Sequence, residues 1–161
     1  MGDRIPMTPR GVQTLREELK RLREIERPKN VRDIEEARAH GDLRENAEYH
    51  AAKEKQGFIE MRAREIEGVL ALAEVIDPAK LSGDRVVFGA TVKLTDTETA
   101  EDVTYTIVGD YEADIKLGRL QISAPLARVM IGREVGDTVL LRTGKSSREF
   151  QIVQVRFDAQ V

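Results

Sequence analysis

The chain of 161 residues contains no cysteine and no tryptophan, and only two histidines. Without cysteine, a disulfide framework and a thiolate zinc site are both excluded, and nothing points to an oxidising compartment. The scarcity of His and Trp removes the side chains most used for proton transfer near neutral pH and for stacking on bases. No apolar run approaches the roughly 18 residues needed to span a bilayer, and the opening MGDRIPMTPRG lacks the apolar stretch of a signal peptide. A membrane is therefore not an expected partner, and the cytoplasm is the default location. An excess of positive charge is missing too: 26 Lys and Arg face 29 Asp and Glu, for a net charge of −3. Such a surface offers no general attraction to a nucleic-acid backbone, so any contact with one must be local.

What is present falls into two textures. From Thr8 to Ile76, charges of both signs alternate with Leu, Ile, Val and Ala at helical spacing, and glycine is sparse. Val12, Leu15, Leu19, Leu22 and Ile25 make one apolar stripe, continued beyond Pro28 by Val31, Ile34 and Ala37. A second stripe runs through Ala47, Ala51, Phe58, Ile66, Val69, Ala73 and Ile76. Between them stands HGDLREN, residues 40–46, where Gly41 can adopt the left-handed conformation that ends a helix and Asp42 can cap the next. A short connection makes the helices antiparallel neighbours. Residues 1–76 are thus expected to form a helical hairpin of the coiled-coil type, roughly 45 Å long, with its tip at 40–46. Thr8 followed by Pro9 marks the start of the first helix, and Pro28 predicts a kink or a restart within it.

From Arg85 onward the runs VVFGATVKL, DVTYTIVG, GRLQISA, DTVLLRT and EFQIVQVRF are rich in Val, Ile, Thr and aromatics and are separated by Gly and Asp turns. PLARVMIG, residues 125–132, reads as one short helix among these strands, its Leu126, Val129 and Met130 as core. The segment DPAKLSGD, residues 77–84, has the composition of a linker. The expected fold is α+β in two domains, a helical hairpin followed by a strand-rich domain at 85–161.

Asp42 and Glu45, three residues apart at the tip, admit two readings. An Asp-x-x-Glu pair at a helix start resembles a capping box, which would occupy both carboxylates with backbone amides. Two exposed carboxylates are also suitable donors for Mg²⁺, which takes six oxygens but usually only one or two carboxylates. Arg38, Arg44, Lys53 and Lys55 lie near enough to neutralise phosphates, and Tyr49 offers a ring, although Lys and Arg on a mixed-charge helix ordinarily form a solvated face. His40 and His50 could transfer protons; plain surface placement is the simpler account.

The run GDLRENAEYHAAKEKQGF, with ERP upstream and IVGDYEAD and SAPLARVMIG downstream, resembles the GreA/GreB family of bacterial transcript cleavage factors over nearly the whole chain. That resemblance implies an FKBP-like C-terminal domain docking on RNA polymerase through a segment that falls here at Ser123 and Pro125. It implies a hairpin inserted into the polymerase's secondary channel, with Asp42 and Glu45 helping to hold Mg²⁺ beside the scissile phosphate while the polymerase supplies the remaining acidic ligands. Arg38, Arg44, Tyr49 and Lys53 would hold the extruded 3′ segment of the nascent RNA. The protein would then be a monomeric activator of another enzyme's nuclease activity. Two rivals stand beside this reading. A channel-blocking inhibitor shares the architecture but carries a more acidic tip than GDLREN. A prolyl isomerase or chaperone would need an apolar pocket, for which Phe88, Tyr105, Tyr111, Phe150 and Phe157 are thin lining.

Overall fold

A computed structural model describes residues 3–159. The chain divides into two compact units, one formed by Gln13–Leu72 and the other by Met1–Val12 together with Ala73–Val161. Residues 3–12 and positions 73–76, which the sequence pattern joins to the hairpin, are thus compact with the strand-rich part. The expected two-domain α+β class is borne out.

Helix α1 (Pro9–Arg21) starts as its first residues dictate. The Thr8 hydroxyl oxygen accepts the Gly11 N–H at 3.1 Å, and Pro9 fills the first helical position, where a missing N–H costs nothing. A π-helical turn, Leu22–Glu26, follows, and α2 (Arg27–Ala39) continues from it. Pro28 sits in the first turn of α2 without ending the helix, so the expected restart does not occur. A proline loses one bond and crowds the carbonyl four residues back; a single wide turn just upstream is one way a helix absorbs that conflict. The Arg27 N–H accordingly reaches five residues back, to the Leu22 carbonyl.

The same turn corrects the apolar stripe. Leu15, Leu19 and Leu22 are buried, but the next buried positions are Asn30 and Ala37, while Ile25 is 61% and Val31 42% exposed. Leu22 and Asn30 are eight residues apart instead of the seven of a heptad, and the wide turn takes up the extra one. Helix α3 (Ala47–Leu72) buries Ala52, Ile59, Ala63, Ile66 and Val69, whereas Phe58 is 64% exposed and Ala47 and Ala51 also face solvent. Its helical run stops at Leu72, so Ala73 and Ile76 leave the expected stripe. Asn30 lies in the seam because its amide nitrogen donates to the Ala52 carbonyl at 2.9 Å, satisfying a polar group that burial would otherwise penalise. Ion pairs flank the seam: Arg62 grips Glu18 at 2.5 and 2.9 Å, Arg27 grips Glu60 at 2.7 and 3.0 Å, and Arg23 pairs with Glu67. The Arg62 hydrogen bonds hold the Glu18 carboxyl below its ordinary pKa, and Glu18 in turn raises that of Arg62.

The other unit contains two sheets. Strands β1 (Ile5–Met7) and β2 (Ala73–Val75) form a parallel pair, with Ile5 opposite Ala73. Five longer-range strands follow: β3 (Thr91–Asp96), β4 (Asp102–Val108), β5 (Arg119–Gln121), β6 (Thr138–Thr143) and β7 (Ser146–Arg156), in the order β5-β4-β3-β7-β6. Each of the five strand-like runs in the sequence supplies one of these, although the first begins at Thr91 because Gly89, at φ +87°, turns the chain just before it. Helix α4 (Pro125–Met130) lays Ala127 and Met130 into a cluster with Val92, Leu94 and Ile152, all completely buried. Leu126 and Val129 pack against it, as expected. The stretch expected as linker carries a 3₁₀ turn, Pro78–Lys80, capped by the Asp77 carboxylate, with Pro78 buried.

A buried ion pair ties the N-terminal segment into this unit. The side chains of Glu112 and Arg119 are 3% and 9% exposed and meet at 2.9 Å. Glu112 also accepts the backbone N–H groups of Thr8 at 2.9 Å and Gly109 at 3.1 Å, and the Thr8 hydroxyl. Gly109 is glycine for a reason, since a Cβ there would run into the Pro6 carbonyl. Burial lowers the pKa of Arg119 while the Glu112 charge opposes the shift. Among the described residues no helix is long and apolar enough to cross a membrane.

Candidate functional site

The tip begins where α2 runs out. His40 closes the helix, and Gly41 follows at φ +94°, a left-handed conformation that a side chain would strain. Asp42, Leu43, Arg44 and Glu45 form an exposed turn before α3 starts at Ala47.

Capping of α3 falls to Asn46, not to Asp42. The Asn46 Oδ1 accepts the Tyr49 N–H at 3.0 Å, the bond an N-cap makes to the third helical residue, while its Nδ2 donates to the carbonyls of Ala37 at 2.6 Å and Gly41 at 3.4 Å. One side chain thereby satisfies the end of α2 and the beginning of α3. Sequence reasoning missed it because the Asp42–Glu45 spacing imitates a capping box; an Asn one residue before a helix with Glu48 in its first turn was the available signal.

Relieved of capping, the two acidic side chains are available. Asp42 Oδ1 accepts only the Arg44 N–H at 3.2 Å, and the Glu45 carboxylate has no hydrogen bond or ion pair among the described residues. Both residues are exposed. No group of three or more His, Cys, Asp or Glu that could hold a metal exists among the described residues. Two hard oxygen donors suit Mg²⁺ by type and fall short of its six by number, so this pair fits as part of a site completed by other ligands.

The other expected site residues fall into separate places. Arg44 shares the turn with the acids, Arg38 lies in the last turn of α2, and Tyr49 and Lys53 lie in the first two turns of α3. The Arg38 and Arg44 side chains are exposed and without a partner among the described residues, whereas Lys53 Nζ donates to Gln56 at 2.8 Å. Tyr49 is half-buried, its ring set edge-on to that of His50 at 5.7 Å between centroids. His50 reaches back to the Arg44 carbonyl at 2.9 Å, and His40 lies 3.7 Å from Glu48. In the strand-rich unit, Pro125 is exposed at the first position of α4 and the half-buried Ser123 donates its N–H to Asp110 at 3.2 Å. Ala124, the α4 N-cap, has no side-chain oxygen to offer and is buried instead.

Residues 5–75 match the family description "Transcription elongation factor, N-terminal", and residues 81–157 match "Transcription elongation factor, GreA/GreB, C-term". A protein named transcription elongation factor GreA from Anaeromyxobacter sp. (strain K) is 56% identical over 154 residues, covering 96% of this chain and 93% of the relative. One of the same name from Cereibacter sphaeroides (strain ATCC 17029 / ATH 2.4.9) is 57% identical over 155 residues, 96% of this chain and 99% of the relative. Among solved structures, GreA factor homolog 1 of Thermus thermophilus is 26% identical, with 95% of this chain and 99% of that one covered and a TM-score of 0.43. The class these sequence matches define is that of the transcription elongation factors. Within it, the chain belongs to the GreA/GreB family.

Proposed function

We propose that this protein binds RNA polymerase, passes its hairpin tip into the secondary channel and makes the polymerase cut the 3′ end of backtracked RNA, which rescues arrested complexes. The observation that carries this reading is the pair of tip carboxylates whose capping duty has been taken over by Asn46. A 26-residue α3 rises about 39 Å, more than a small core needs, which suits delivery of the pair to a distant catalytic centre.

Asp42 and Glu45 would hold Mg²⁺ jointly with acidic residues of the polymerase. Held there, Mg²⁺ would supply charge neutralisation at the scissile phosphate and lower the pKa of water near it. The protein's own contributions are electrostatic and positional. Either carboxylate could orient an attacking water or accept its proton. Arg38, Arg44 and Lys53 offset phosphate charge on the extruded nascent RNA, and Tyr49 offers its ring for stacking on a base. Ser123 and Pro125 lie on the docking segment that positions the factor. It acts as a monomer and leaves bond breaking to the polymerase.

The test is a stalled, backtracked elongation complex with 3′-labelled RNA and Mg²⁺. Addition of the protein should release short 3′ fragments, and without polymerase it should leave free RNA intact. Asp42→Asn and Glu45→Gln should each slow cleavage at least about tenfold. The melting temperature should hold, because neither carboxylate caps a helix and Asn can keep the bond to Arg44. Normal cleavage by both variants, or cutting of free RNA, would sink the proposal.

A further inference from the structure

The turn that presents the two carboxylates has little packing to hold it: Asp42, Leu43, Arg44 and Glu45 are all exposed. An exposed turn of this kind samples many conformers unless its backbone is tied, and each lost degree of order weakens the presentation of both acids. The ties converge on Arg44. Its N–H is held by Asp42 Oδ1 at 3.2 Å and its carbonyl by His50 Nε2 at 2.9 Å. A carbonyl oxygen accepts, so Nε2 carries the proton, and the imidazole donates whether neutral in that tautomer or cationic. His50 itself is anchored, because it belongs to α3 and its own N–H bonds the Asn46 carbonyl at 3.1 Å. Tyr49 packs edge-on against its ring at 5.7 Å.

We propose that His50 is a positioning residue for the acidic tip: its donation to the Arg44 carbonyl fixes the Arg44–Glu45 peptide and, through the Arg44 N–H, the Asp42 side chain. The helix thereby sets the direction of both carboxylates before any partner arrives. Glu45 depends on this brace most, since its carboxylate has no hydrogen bond or ion pair among the described residues. The inference rests on the cleavage reading above and extends it to a residue that need not meet RNA or metal.

Two variants separate the brace from mere ring packing. His50→Phe keeps a ring and loses the donor; His50→Gln loses the ring and keeps an N–H of similar reach. In the free protein, backbone order at Leu43–Glu45, read by ¹⁵N relaxation, should fall in His50→Phe and be largely restored in His50→Gln. In the elongation-complex assay at saturating factor, His50→Phe should cleave at least about fivefold more slowly, His50→Gln should recover most of the rate, and the half-saturating concentration should stay within about twofold of the parent. Unchanged tip order in His50→Phe overturns the brace, as does parental cleavage by that variant. A shift confined to half-saturation also overturns it, since that would make His50 a docking contact. Failure of the parent protein to stimulate any cleavage defeats the function proposed above, and the catalytic consequence of the brace with it. Parental cleavage that is indifferent to His50 defeats the brace alone.

Discussion

The hairpin and the strand-rich unit are held together by different forces. In the strand-rich unit, Val86, Val92, Leu94, Ile107, Met130 and Ile152 are completely buried in one apolar cluster. Along the hairpin, three of the buried seam residues are alanines, one is an asparagine, and ion pairs from Glu18, Arg23 and Arg27 line the flanks. Apolar area removed from water stabilises at about 25 cal/mol per Å², so the first unit draws on a term that the narrow hairpin seam supplies sparingly. Exposed ion pairs add at most about 1 kcal/mol each. The lesson is that a long, slender element built for reach gives up core volume, and helix propensity with cross-helix polar contacts takes over part of the work.

Substitutions can break that contrast or sharpen it. The largest effect belongs to Leu94→Ala, which empties a completely buried site in β3 and should cost about 3 kcal/mol. Amide exchange should show the loss in β3, β4 and β7 while the amides from Ala52 to Val69 keep their protection. Uniform loss would mean that the two units unfold as one and would erase the distinction. Asn30→Ala should cost less, about 1 kcal/mol, by removing the hydrogen bond to the Ala52 carbonyl. A denaturant melt followed by the helical circular dichroism signal would measure it, and a cost equal to that of Leu94→Ala would show that this polar contact holds the seam as strongly as an apolar core residue holds the sheet.

The smallest effect is a difference in acid response. Asp96 has its pKa lowered first by the backbone N–H of Thr99, then by that of Glu98, then by Arg148. A lowered folded pKa contributes stability that is present above the unfolded value of about 3.9 and is lost as pH falls through the folded value. Glu18 in the hairpin follows the same sign through Arg62. Asp96→Asn should therefore flatten the acid limb of stability for the strand-rich unit and leave that of the hairpin unchanged, as read by exchange at pH 7 and below 4.

Much of the fold was legible in the sequence because it is local. Thr8-Pro9 announces the start of α1, Gly41 announces the end of α2, and five β-rich runs yield five strands. Phase was not legible. Period counting put Ile25 and Val31 in the seam and left Asn30 out, since nothing in a list of apolar positions reveals one extra residue taken up by a wide turn. Phe58 misled in the same manner: its size suggested burial, whereas the smaller Ala52, Ile59 and Ala63 form the packed face. The pair β1–β2 joins residues 68 apart in strands of three, too short for any alternation to register. At the site, the acids at Asp42 and Glu45 could be found by type and spacing, but their freedom could not, because it depends on Asn46 and on the three-dimensional meeting of Ala37, Gly41 and Tyr49. The Glu112–Arg119 pair was invisible for the same reason, its partners in the N-terminal segment lying about a hundred positions away.

The wide turn at Leu22–Glu26 also bears on how this gene can change length. Within the regular α-helical stretches of the hairpin, adding or deleting one codon would swing every seam residue beyond it by about 100° and expose the packed face. At this turn the surplus residue is already accommodated. Removal of one codon there would return Leu22 and Asn30 to a seven-residue interval and let the helix close into ordinary geometry with the distal register intact. The limb leading to the tip therefore holds a place where a one-codon deletion is cheap, because the residue removed is one the wide turn already carries as surplus, and both the reach of the hairpin and the phase of Asp42 and Glu45 are kept.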